Sequence, residues 1–274
     1  MRTEAPRLSA IPSTLRIPLT ARAMGGRLFP RLAVDDRFAA DALAYLGDDG
    51  QQWLRDWASV YGSLRRIHYF RDQARAFLAR APAACVVSLG CGLSDYLQWL
   101  DNGQMRMIDA DLPEVMAIRR KIMPPQNARH TLADLDLNDA HWWDTLGLPA
   151  TREAAPVCLM SEGVFMYLQP AVVQAVLGTI GERAPVGSAL IVDAMCWLTV
   201  GNARYHTSVR HTDAEFHWGL RQLADLVGCH RRFVLRARHS VMDGYSPFYA
   251  MASSAFSLAA GIEPYAIYML EVKA

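Results

Sequence analysis

Val86-Val87-Ser88-Leu89-Gly90-Cys91-Gly92 is a short β-branched run that closes on Gly-x-Gly. Residues branched at Cβ fit a pleated strand. A strand that ends in two glycines ahead of a helix lets a ligand approach the backbone, with free N–H groups at the helix start. The same glycines also serve an ordinary tight turn, so the choice between turn and ligand loop rests on what lies outward from them.

Downstream, strand-like runs alternate with helical patterns. The first strand is read over 85–89 and a helix over 95–102. A second strand (105–110) leads to a helix opening at Pro113, a residue suited to a first helical turn because its missing N–H has no intrahelical partner there. A third strand (128–132) leads to Ala133-Asp134-Leu135, and a fourth (157–161) ends at Glu162. A helix from Pro170 to about residue 184 precedes a turn at Gly187 and a fifth strand over 189–193. Thr212-Asp213-Ala214-Glu215 has capping-box spacing and predicts a helix to about Val227, followed by strands over 233–237 and 265–272. This alternation is that of an α/β fold built on a parallel sheet with crossover helices. Residues 1–80 show no strand alternation and read as a helical cap, clearest over 38–46 and 51–79.

The residues beside the turn favour a nucleoside without phosphates. Asp95 stands where a dinucleotide fingerprint has its third glycine, and a carboxylate there would repel a pyrophosphate. S-adenosylmethionine (SAM) carries no phosphate, and its sulfonium and ammonium tolerate nearby acids. Asp109 and Asp111 fall at the end of the second strand, roughly twenty residues beyond the glycines, where an acid can accept both ribose hydroxyls or cap the next helix. Asp134 and Glu162 follow the third and fourth strands, at the edge where open α/β sheets bind ligands.

Composition bounds the partner. The 274 residues are 52% apolar, enough for one large core, or one core plus a helical cap. Lys and Arg number 28 against 27 Asp and Glu, which gives no field suited to nucleic acid or an anionic membrane and favours a small-molecule substrate. The five cysteines (85, 91, 158, 196 and 229) have neither disulfide nor zinc spacing and imply a reducing compartment. The N-terminus lacks an apolar signal region, although its Arg-rich start faintly mimics a transit peptide. Two uncharged stretches, 163–181 and 244–262, contain proline and read as buried or amphipathic soluble structure. The expected location is cytoplasmic, and the oligomeric state is not fixed.

Several motifs in order resemble one family. Ser161-Glu162-Gly163-Val164-Phe165-Met166-Tyr167-Leu168 is similar to the Glu-Gly-Val-Leu-Met-Tyr-Leu run of the leucine carboxyl methyltransferase family, which includes tetracenomycin-type polyketide O-methyltransferases. Asp109-Ala110-Asp111-Leu112-Pro113-Glu114-Val115 resembles its second-strand motif and Ala133-Asp134-Leu135 its third. Arg66, eleven residues before Phe77-Leu78, matches its cap arginine, and Thr20-Ala21-Arg22-Ala23 its N-terminal segment. Gly92-Leu93-Ser94-Asp95-Tyr96 departs from the family's Gly-Leu-Asp-Thr-Arg, and Asp35-Asp36-Arg37 from its Asp-Pro pair.

The resemblance implies a class I methyltransferase fold: a Rossmann-like seven-stranded sheet in the order 3-2-1-4-5-7-6, with a helical cap over 1–80. A SAM-binding domain would span 81–274, with a lid at about 195–218. It implies that Arg66 and Arg22 hold the methionyl carboxylate and that Gly90 and Gly92 line that end. Asp111, with Asp109 beside it, would bind ribose, Asp134 and Leu135 would frame adenine, and Glu162 would meet the amino-acid end. The expected reaction is methyl transfer to a carboxylate or hydroxyl of a small metabolite. Alternatives are cyclisation or lysis of SAM, giving an azetidine carboxylate or another fragment with methylthioadenosine, and SAM binding without catalysis. An ionised carboxylate needs no base, whereas a hydroxyl does. His206 and His211, among the aromatics of the lid, are candidate bases, and Tyr167 could orient the nucleophile. Together with His217 these histidines lack zincin spacing, so no metal is expected.

Overall fold

The computed structural model describes Ser9 and residues 13–274; residues 1–8 and 10–12 of the expected cap, with part of the Arg-rich start, lie outside the described residues. Seven strands form one sheet: β1 (Cys85–Leu89), β2 (Arg106–Asp111), β3 (His130–Asp134), β4 (Val157–Ser161), β5 (Ala189–Met195), β6 (Phe233–Ser240) and β7 (Tyr265–Val272). Their order is β3-β2-β1-β4-β5-β7-β6, as the resemblance implies. β1 to β5 run parallel, and β7 inserts antiparallel between β5 and β6. Five parallel strands thus end at one edge, and the antiparallel β7 begins there, with Tyr265 opposite Met195.

Side chains alternate across a strand, so β1 feeds two cores. Cys85, Val87 and Leu89 pack with the buried face of a helix over Pro170–Arg183 and with Trp142 and Trp143. Val86 packs on the opposite face with Phe70, Ala74 and Phe77 of the long helix Trp57–Arg80. Burying each such aromatic contributes about 1.5–3 kcal/mol. The expected helix over 51–79 is two pieces, because Asp56 leaves helical geometry and caps Trp57–Arg80 by accepting from the Ser59 N–H at 3.1 Å. Numbered along the chain, the helices are α1 (Arg16–Met24), α2 (Ala39–Tyr45), α3 (Gln51–Leu54), α4 (Trp57–Arg80), α5 (Leu97–Leu100), α6 (Pro113–Ile122), α7 (Trp142–Thr145), α8 (Pro170–Arg183), α9 (Ala224–Val227) and α10 (Pro247–Ala260).

The helix expected from Thr212 does not form; only the four residues of α9 are helical. Backbone donors of this stretch are committed elsewhere: Leu220 N–H to Met195 at 2.8 Å, His217 N–H to Met166 at 2.8 Å, while Phe216 accepts from Gly201 N–H at 2.9 Å. The run Ala214-Glu215-Phe216-His217-Trp218-Gly219-Leu220 buries every second residue, the period of an extended chain. The Thr212 hydroxyl instead accepts from the Ala214 N–H at 3.3 Å, a local turn. The uncharged stretch after Gly244 becomes α10, capped by Ser246 and ended by Gly261 at φ +74°. Its Tyr249 faces inward, whereas Phe248, Met251 and Leu258 are exposed. No helix among the described residues is long and apolar enough to cross a membrane.

Candidate functional site

The glycine turn is held from both sides. Gly90 and Gly92 have φ of +71° and +52°, a region that disfavours any side chain. The Ala110 carbonyl at the end of β2 accepts from Gly90 N–H at 2.8 Å and Cys91 N–H at 3.0 Å. Asp111, one residue on, accepts from Gly92 N–H and Leu112 N–H, both at 2.7 Å. Burial raises the Asp111 carboxyl above its ordinary value, partly offset by these two hydrogen bonds. Val164, from the run after β4, packs where a side chain at Gly90 would stand.

At the other end, Arg66 projects from α4 into a cluster of acids. Its Nε donates to Glu162 Oε1 at 3.1 Å, and Nη1 donates to the Tyr265 hydroxyl at 2.5 Å and lies 3.5 Å from Asp193 Oδ2. The second oxygen of Glu162 accepts from the Tyr96 hydroxyl at 2.6 Å. Burial and the adjacent carboxylate push the Tyr96 phenol well up, which keeps it neutral and a donor. Between the glycine turn and this cluster lies a cavity of about 480 Å³, within the range of small-ligand sites. Met166, Met195, Phe216, Met242 and Tyr249 also line this cavity.

Of the residues expected at the site, Arg66, Gly90, Gly92, Asp111, Leu135, Glu162, Tyr167 and His206 line this cavity. Four others do not. Arg22 is buried behind the turn, its Nε donating to Asp36 at 2.6 Å and its Nη2 to the Leu93 carbonyl at 2.9 Å, so it braces the loop. Asp109 sits two residues deeper in β2 than Asp111, locked against Arg119 and His130 inside the protein. Asp134 turns outward to pair with Arg120 at 2.7 Å, and Asp136 lines the cavity instead. His211 lies outside the wall, edge-on to Trp53 with ring centroids 6.4 Å apart. Asp95 also faces away from the turn: it pairs with Arg37 at 2.7 Å, so two departures from the family's pattern satisfy each other. The acid set against the glycine turn is Asp111.

Sequence reading missed Asp193, Tyr265, Tyr96 and Asp136. Asp193 sits near the end of β5 as Glu162 follows β4, and the strand-edge rule that singled out Glu162 could have found it. Tyr265 reaches this edge only because β7 runs antiparallel, which no local signal announces.

Within residues 195–218, three short 3₁₀ turns (Trp197–Thr199, Ala203–Tyr205 and Val209–His211) precede the extended run. His206 Nδ1 accepts from the Val209 N–H at 3.3 Å, and burial lowers the pKa of the ring. Tyr167 is half-buried and hydrogen-bonded to Thr14, and desolvation raises its phenol to about 12. Its ring lies 5.6 Å from that of Phe216. No cluster of three potential metal ligands occurs among the described residues.

Residues 18–181 match the model of the leucine carboxyl methyltransferase family. The chain belongs to that family. It is a SAM-dependent methyltransferase. The chain is 28% identical to the tetracenomycin polyketide synthesis O-methyltransferase TcmP of Streptomyces glaucescens, over 91% of this chain and 89% of that one. A Thermobifida fusca structure assigned as a methyltransferase superposes with a TM-score of 0.57 at 14% identity, covering 95% and 94% of the two chains. PKMT2 of Rickettsia typhi, solved with AdoHcy, gives 0.51 at 10% identity, covering 76% of this chain and 53% of its own. These structural likenesses establish the fold. The residues of this methyltransferase fit the cofactor: carboxylates at both ends suit a compound bearing a sulfonium and an ammonium. Among the described residues, Arg66 Nη2 makes no hydrogen bond and can meet a carboxylate.

Proposed function

We propose that this methyltransferase methylates an oxygen of a small, largely apolar metabolite, with a carboxylate as the favoured acceptor. The observation that carries the reading is one cavity lined both by the polar groups above and by Met166, Met195, Phe216, Met242 and Tyr249. When bound, SAM supplies an activated methyl group on a positively charged sulfur. Arg66 and Glu162 would hold its amino-acid end, Asp111 its ribose, and Leu135 with Asp136 its adenine. The helices before β1 would serve as the cap and the 195–218 segment as the lid.

The apolar lining excludes water from the acceptor, and alignment in a dry site supplies much of the rate. Lowered basicity keeps His206 neutral near pH 7, and with Nδ1 accepting from Val209 its proton resides on Nε2. That tautomer donates to an oxygen and does not take its proton. Tyr167, raised to about 12, is likewise a donor. These two donors suit an acceptor that is already ionised.

The test incubates the purified protein with SAM, alone and with carboxylic and phenolic acceptors, and follows products by mass spectrometry. S-adenosylhomocysteine formed only with an acceptor supports the proposal, and a rate flat from pH 6 to 8 supports the carboxylate. Methylthioadenosine from SAM alone would replace it with cyclisation or lysis, and binding without turnover with a non-catalytic module.

A further inference from the structure

Arg66 is gripped at two places on its guanidinium. Glu162 takes Nε; at the other end the Tyr265 hydroxyl accepts from Nη1 at 2.5 Å and itself donates to Asp193 Oδ2 at 2.5 Å. Asp193 is fully buried, and its second oxygen accepts from the Gly163 N–H at 2.7 Å. Gly163, at φ +69°, lies beneath the guanidinium: a Cβ there would stand 3.6 Å from both Nη1 and Nη2. One carboxyl group therefore fixes the arginine's distal end and the backbone on which it rests.

An arginine side chain has many rotamers, and losing that freedom on binding weakens affinity. A single partner at Nε would leave the guanidinium free to swing. Anchoring Nε and Nη1 separately leaves Nη2 as the donor still available in the cavity. Burial pushes the Tyr265 phenol well up, so it stays neutral and keeps accepting from Arg66 while donating to Asp193.

We infer that Asp193 and Tyr265 are positioning residues: they pre-set the Arg66 guanidinium so that Nη2 faces the carboxylate of the amino-acid tail of SAM. The inference rests on the reading of Arg66 as the tail's partner. The bland alternative is that the three residues only tie α4, β5 and β7 together.

Two ligands separate these readings. S-adenosylhomocysteine carries the amino-acid tail, and 5′-methylthioadenosine lacks it while sharing the nucleoside. Calorimetry on Tyr265→Phe and Asp193→Asn is expected to show affinity for S-adenosylhomocysteine falling about tenfold, the worth of a hydrogen bond to a charged group. Affinity for methylthioadenosine should stay within about twofold. Asp193→Asn keeps the test open if Tyr265→Phe does not fold. Equal losses for both ligands, or no loss for either, would overturn the inference. An Arg66→Ala arm distinguishes the two failures. If that variant discriminates the ligands and the Tyr265 and Asp193 variants do not, the positioning role alone falls. If Arg66→Ala does not discriminate, the reading of Arg66 falls with it.

Discussion

Val164 occupies the space that a side chain at Gly90 would need. The contact ties the loop after β4 to the loop after β1, so the two halves of the site are set by one close approach. Gly90→Ala meets two penalties, a Cβ at φ +71° and an overlap with the valine methyls. Together these should cost about 2–4 kcal/mol. Urea unfolding is expected to show that loss, and calorimetry a loss of SAM affinity in the protein that remains folded. Pairing the change with Val164→Ala should recover part of the stability; no recovery would detach the two loops.

Asp109 and Asp111, two residues apart on one strand, should respond in opposite ways. Asp109→Ala strands the fully buried Arg119 and is expected to cost about 3–5 kcal/mol of stability. Asp111→Ala removes a carboxylate that faces the cavity. It should weaken SAM binding by roughly 10- to 100-fold with a smaller effect on unfolding. Chemical denaturation and calorimetry on both variants read the contrast, and equal effects on binding would return Asp109 to the site.

Much of this was legible because it depends on local pattern. The bounds of β1 and β4 were read to the residue, since each is a mostly apolar run stopped by a glycine or an acid. Arg66, Glu162 and Asp111 were legible as members of motifs. Arg22 and Asp134 belonged to motifs too, but their direction depends on Asp36 and Arg120, which only the fold brings near. The segment after Thr212 failed for a physical reason: a good capping box offers a local hydrogen bond, whereas strand-like pairing at Met195 and Met166 offers several. The period-two burial from Ala214 to Leu220 was present in the sequence and carried the better signal.

His206 gives a pH prediction whose sign is fixed. Burial is the largest influence and lowers its pKa below the ordinary 6.5; Asp56 opposes this and Arg66 adds to it. The folded state therefore resists protonation more than the unfolded chain. Its contribution is fully present above pH 6.5 and is lost as pH falls through the lower folded-state pKa. Stability of the wild type relative to His206→Gln should be constant above neutrality and decline in acid, by at most about 1.4 kcal/mol per pH unit. Measuring the difference removes His68 and His239, whose pKa values burial also lowers. A difference that grows in acid would mean that the ring is charged in the fold.

Phe216 separates acceptor binding from cofactor binding. It is buried within residues 195–218 and lines the cavity, its ring 5.6 Å from Tyr167 and 5.9 Å from His206. Phe216→Ala would confound the answer, because emptying a buried phenylalanine site costs about 3–5 kcal/mol. Phe216→Leu keeps most of the volume and removes the flat ring. With an acceptor in hand, KM for that acceptor should rise several-fold, while calorimetry finds S-adenosylhomocysteine affinity unchanged. Loss of S-adenosylhomocysteine affinity with an unaltered acceptor KM would place this segment over the cofactor and move the acceptor to another wall of the cavity.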